Sequence, residues 1–228
     1  MHFPLWNKQR GIPKAYTRLI QYNDSLFIGT SFMPKEISVE LMNLKTEKVV
    51  NSVNFPLKPK EGEYSRPYEC KIATEMNFIV AAYRYINRLE IYKLSDQKFQ
   101  LNTIIGDANN QYDLYRLNKD NEMILHYSDI VCGKNQIYAL YRGVKEKELS
   151  SANSKIEVYS YDGTHLRTFD LGRSIEKILV DESSMRIYAF DRNEEKDIVF
   201  CYAIESNTWY HSCLLYTSDA ADELDGVD

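Results

Sequence analysis

Four segments of this chain align with one another without gaps: "VELMNLKTEKV" (39–49), "LEIYKLSDQKF" (89–99), "IEVYSYDGTHL" (156–166) and "VFCYAIESNTW" (199–209). One column of the alignment reads Leu41, Ile91, Val158, Cys201, and the next reads Met42, Tyr92, Tyr159, Tyr202. Adjacent positions are both apolar, yet the polarity pattern repeats every second residue. That is the pattern of a strand covered on both faces, and a helical period of 3.6 does not fit it. A polar turn comes next, and each segment resumes with Val49, Phe99, Leu166 or Trp209. Within "YDGT" (161–164) stands the Asp-Gly pair that a two-residue hairpin turn favours.

A second, shorter repeat precedes each of these segments. "IVAAYR" (79–84), "IYALYR" (137–142) and "IYAFDR" (187–192) align, with "LFIGTS" (26–31) a poorer match. Ala81, Ala139, Ala189 and Ile28 or Gly29 form a column of small or short residues, which suits strands converging on a crowded axis. Ahead of these lie strand candidates at 17–21, 69–73, 128–132 and 175–180. The unit is therefore four strands, and equivalent columns lie 50, 67 and 43 residues apart. Four antiparallel strands per unit at about 40–50 residues is the signature of a β-propeller blade. The expected fold is all-β, with blades at about 17–55, 69–105, 128–170 and 175–212. Two stretches exceed the period, 106–127 before the first strand of blade three and 142–153 between its second and third strands. In a propeller both connections emerge at one end, so both are expected to crowd one face.

Charge adds little to this. The chain has 28 Lys and Arg against 33 Asp and Glu, but five of the acids stand in residues 213–228, and the remainder is balanced. No global basic field is present, and nucleic acid is not an expected partner. Cys70, Cys132 and Cys201 form no CxxC and no ligand spacing with His126 or His165, so they are expected to be buried or half-buried thiols. No metal or cofactor is expected. No run reaches the roughly 18 apolar residues that a spanning helix needs.

The stretch "IYALYRG…IEVYSYDGTHLRTFDLGRSIEKILVDESSMRIYAF" resembles the TolB-like six-bladed propeller proteins, cell-envelope lipoproteins of Gram-negative bacteria. "EGEYSRP" (61–67) resembles a degenerate form of their glycine-rich link between blades. The resemblance covers about 17–210. It implies a binding scaffold of the envelope or periplasm with a protein, peptide or glycan partner, and it brings no catalytic motif. The final segment, 213–228, resembles a translated sequencing adapter. On that resemblance 1–212 is the biological sequence and Met1 an internal methionine. About two blades, a signal and a lipid anchor are then expected upstream, with a closed ring of four blades as the alternative.

Candidate site residues emerge from repeated position. Arg84, Arg142 and Arg192 stand at the exit of the second strand in three successive blades, on the insertion-bearing end. Guanidinium groups there could grip a carboxylate, phosphate or acidic sugar. Tyr83, Tyr85, Tyr112, Tyr115 and Tyr141 belong to the same end and would suit stacking on a sugar or peptide. No catalytic residue is assigned: "HYSD" (126–129) is contiguous on a strand and cannot form a triad in space. The alternative function is a propeller-type hydrolase or lyase acting on saccharides, its site completed by further blades.

Overall fold

The computed structural model describes residues 16–33, 36–56, 70–75, 77–107, 123–191, 198–204 and 215–216. They form four separate four-stranded antiparallel sheets, each built from strands consecutive in the chain. The first holds β1 (Tyr16–Gln21), β2 (Leu26–Met33), β3 (Glu36–Asn43) and β4 (Lys48–Pro56). The second holds β5 (Cys70–Glu75), β6 (Phe78–Tyr83), β7 (Arg88–Ser95) and β8 (Lys98–Gly106). The third holds β9 (Ile124–Cys132), β10 (Gln136–Lys145), β11 (Lys155–Ser160) and β12 (His165–Asp170). The fourth holds β13 (Lys177–Asp181), β14 (Arg186–Phe190), β15 (Ile198–Ala203) and β16 (Leu215–Tyr216). Leu215 and Tyr216, within the segment that resembles an adapter, pair with Val199 and Ile198.

The second and third sheets, and the third and fourth, meet innermost strand to innermost strand, and the first meets the second through outer strands. Both β5 and β13 lie against β9, while the outer strands β4 and β8 lie side by side. This radial arrangement is that of a β-propeller. Its core is divided into three apolar layers, one between each pair of neighbouring blades. The period-two alternation explains the layers. On β6, Ile79, Ala81 and Tyr83 turn back toward blade one, and Val80 and Ala82 turn forward toward blade three. Likewise Ile137 and Ala139 of β10 face blade two, and Tyr138 and Leu140 face blade four. The two repeat columns become the two faces of a blade: Leu41, Ile91 and Val158 are sealed under the following blade, and Tyr92, Tyr159 and Tyr202 pack on the preceding one.

The column of small residues has a different cause from crowding at the axis, since it lies on the second strand of each blade rather than the innermost. Gly29, Ala81 and Ala139 pair across the sheet with Glu40, Glu90 and Glu157 of the third strand. A small residue here leaves space above the sheet for a tyrosine to reach the glutamate. Tyr16 of β1 donates to Glu40 at 2.5 Å, and Tyr127 of β9 donates to Glu157 at 3.3 Å. Tyr92 and Tyr159 donate to Glu90 and Glu157 at 2.7 and 2.8 Å. Arg88, itself buried, adds a 2.7 Å ion pair to Glu90. Blade four has Phe200 at the glutamate position, and there Tyr202 donates to the Leu171 carbonyl instead. A buried carboxylate is costly unless it is bonded, and each of these glutamates has at least one tyrosine hydroxyl donating to it.

Candidate functional site

β9 begins four residues earlier than expected, and β10 runs on to Lys145. The extensions pair with each other: Tyr141 with Tyr127, Val144 with Leu125 and Lys145 with Ile124. The register slips between Leu140 and Tyr141 and again between Tyr141 and Val144, where Gly143 takes a φ of 65°. A Cβ at Gly143 would stand 2.6 Å from the Tyr141 ring, so glycine is required on both counts. This bulged ribbon carries the ends of both longer stretches to one end of blade three. There the chain makes a 3-10 turn at Glu146–Glu148 and returns to β11.

Between this turn, the exit of β6 and the link into β13 lies a cavity of about 310 Å³. Arg84, Arg142 and Lys147 supply its positive groups, and Glu146, Glu176 and Asp191 its negative ones. Ser128, Ser150 and Ser174 add hydroxyls, and Leu125 and Leu149 an apolar floor. The lining is thus balanced in charge and rich in both donors and acceptors.

Two of the expected arginines meet here, in different roles. Arg142 is 7% exposed, and its guanidinium is held by the protein itself. Nη1 donates to Ser154 Oγ at 2.8 Å and to the Ile175 carbonyl at 2.5 Å. Nη2 donates to the Leu149 carbonyl and, at 2.9 Å, to Ser174 Oγ. Five donors in a rigid fork let one side chain tie the 146–154 segment to the blade-three-to-four link. Burial pulls its pKa below the ordinary arginine value, while Asp191 and Glu176 oppose that. Arg142 therefore builds the cavity wall. Arg84 comes directly after β6 and is half-buried, its guanidinium carbon 5.6 Å from the centre of the Tyr85 ring.

Of the tyrosines expected to stack on a ligand, the three that are described pack against the protein itself. Tyr83 is buried in the layer between blades one and two. Tyr85 is 2% exposed, and its hydroxyl donates to Glu146 at 3.2 Å, which fixes the 3-10 turn to blade two. Tyr141 packs edge-on against Tyr127 with ring centres 5.4 Å apart. Arg192, Tyr112 and Tyr115 lie outside the described residues. His126 stands beside Tyr141, and burial lowers its pKa despite the pull of Asp107. Of the lining residues that sequence reasoning missed, Glu146, Lys147 and Ser150 come from the second insertion, and Ser174 and Glu176 from the link into β13. The length of 142–153 was the signal that could have found the first three.

Among the described residues no helix is long and apolar enough to cross a membrane, which leaves strand-built membrane crossings untouched. A family model described as TolB-like 6-blade propeller-like matches residues 7–183. Among solved structures, the WD40 domain of Toxoplasma gondii coronin superposes with a TM-score of 0.51 at 8% identity, covering 86% of this chain and 44% of that one. A Lactobacillus plantarum protein superposes with a TM-score of 0.52 at 11% identity, covering 90% and 57%. The chain thus spans about half the length of the structures it matches. No match was found among curated protein sequences.

Proposed function

The chain belongs to the TolB-like six-bladed propeller family, and from that premise we propose that it is a non-catalytic binding scaffold of the bacterial cell envelope. Its ligand, a protein, peptide or glycan, occupies the insertion-bearing end of the propeller. The observation that carries this reading is the cavity of about 310 Å³ at which the exits of β6, β10 and β14 converge with the 146–150 segment. Binding loops set on a rigid scaffold are the usual place for recognition. Arg142 makes this one rigid by tying the 146–154 segment to the blade-four link. Among the carboxylates of the cavity, Glu146 accepts from the Tyr85 hydroxyl, and Glu176 and Asp191 act electrostatically on Arg142. That arrangement suits recognition of a polar ligand better than proton transfer. Placement in the envelope or periplasm rests on the family resemblance, as does a lipid anchor upstream.

The test is a peptide and glycan array probed with the chain and with Arg84→Glu and Ser150→Trp variants. A ligand bound by the chain should be lost by both variants and retained by Leu101→Lys on the outer strand β8. Binding that survives both cavity variants would overturn the reading.

A further inference from the structure

The strand registers align a charged rung that the repeat pattern does not display. Thr30, Ala82, Leu140 and Phe190 are equivalent, because each pairs with the first residue of the aligned third-strand segment: Val39, Leu89, Ile156 or Val199. Their partners on the innermost strands are Arg18, Lys71, Asp129 and Lys177. Three blades out of four therefore place a base at one height on the strand nearest the axis, and the third places an acid.

Geometry brings the described part of this rung together. β5 and β13 both lie against β9, so Asp129 stands between Lys71 and Lys177. Asp129 is fixed: its Oδ2 accepts the Ile178 amide at 3.0 Å, bonding the innermost strands of blades three and four. Both lysines are exposed at this inner edge, and both act on the Asp129 carboxylate. Like charges that converge on an axis repel, and one carboxylate offsets only one of them. Cations crowded onto low-dielectric walls focus a positive field in the space they enclose.

We infer that this rung is an anion-binding site at the inner edge of blades two, three and four, taking a multiply charged oxyanion of the phosphate or carboxylate class. Lys71 and Lys177 bind the oxyanion, and Asp129 is the counter-charge that keeps the site from being stronger. The site is separate from the insertion-end cavity and does not depend on it.

Calorimetric titration of the full chain with tripolyphosphate and, separately, with citrate tests this. At least one probe should bind at low salt, and the one that binds identifies the oxyanion class. Lys71→Gln and Lys177→Gln should each weaken binding by about fivefold, and Asp129→Asn, whose amide oxygen can still accept from Ile178, should strengthen it by a similar factor. Arg84→Gln should leave it unchanged, which separates this site from the one proposed above. Failure of both probes to bind, wild-type affinity in both lysine variants, or weaker binding by Asp129→Asn would overturn the inference.

Discussion

The Tyr16 hydroxyl reaches Glu40 at 2.5 Å by passing over Gly29, the residue that pairs with Glu40 across the sheet. A Cβ on Gly29 would stand 2.6 Å from Tyr16 Cδ1, and Glu40 is only 3% exposed. Glycine, phenol and carboxylate are therefore one unit.

Gly29→Ala is expected to push the Tyr16 ring off Glu40 and to cost about 1–3 kcal/mol by overpacking. Tyr16→Phe removes a donor from a buried carboxylate and should cost about 1–3 kcal/mol. Because both act on the same contact, the double variant should lose less than the two single losses combined. Urea unfolding of the three variants measures this, and full additivity would show that Gly29 and Tyr16 act independently.

Removal of the guanidinium in Arg142→Ala leaves the Leu149 and Ile175 carbonyls without their charged donor. The expected loss is about 2–3 kcal/mol. Arg142→Lys should recover little of it, because one ammonium cannot serve four acceptors spread over two segments. Amide exchange should rise first in 146–154 and 171–175. An Arg142→Lys protein as stable as the parent would contradict this role.

The blades were legible in the sequence because a sheet packed on both faces writes both faces into alternating positions, as Leu41 and Met42 with their equivalents do. The extension of β9 and β10 was not, because the bulge at Tyr141–Val144 breaks the alternation at the point where the ribbon leaves the blade. The site was legible only as a location. Arg84 and Arg142 were singled out by repeated position, and both reach the cavity. Repetition could not show that Arg142 would turn its donors onto oxygens of its own chain, since Leu149, Ser154 and Ser174 belong to no repeat. The small column was visible, but its partner glutamates were not linked to it, because strand register is a property of the fold.

Burial raises the Cys70 thiol from 9.0 to about 12, with Glu90 adding to the effect and Lys71 opposing it. Burial likewise raises Tyr127, with the Glu157 carboxylate adding to it. Groups that ionise later in the folded chain than in the unfolded one leave the folded chain holding more protons. For Cys70 stability is then full below pH 9 and falls as pH climbs from 9 toward 12, and for Tyr127 the loss begins above pH 10, by about 1.4 kcal/mol per pH unit for each group. Urea midpoints measured across that range should fall steadily. In the native chain at pH 8, Cys70 should resist a thiol reagent that labels it freely in urea. Rapid native labelling of Cys70 would contradict its packing against the layer between blades one and two.

Each blade carries apolar residues on both faces, so each needs a neighbour on both sides. Among the described residues, the forward face of blade four has no blade packed on it, and its apolar side chains meet solvent. Leu41, Ile91 and Val158 are 0% exposed under the next blade, whereas on the same face of blade four Phe190 is 39% exposed and Leu179 52%. Such a face, edged by backbone, is an association surface. Light scattering after size exclusion, on the full chain and on a Leu179→Lys/Phe190→Lys variant, tests the radial packing most directly. The account predicts concentration-dependent association of the parent and a shift toward monomer in the variant. A parent that stays monodisperse and monomeric, melts cooperatively and is unaffected by the two lysines would contradict it.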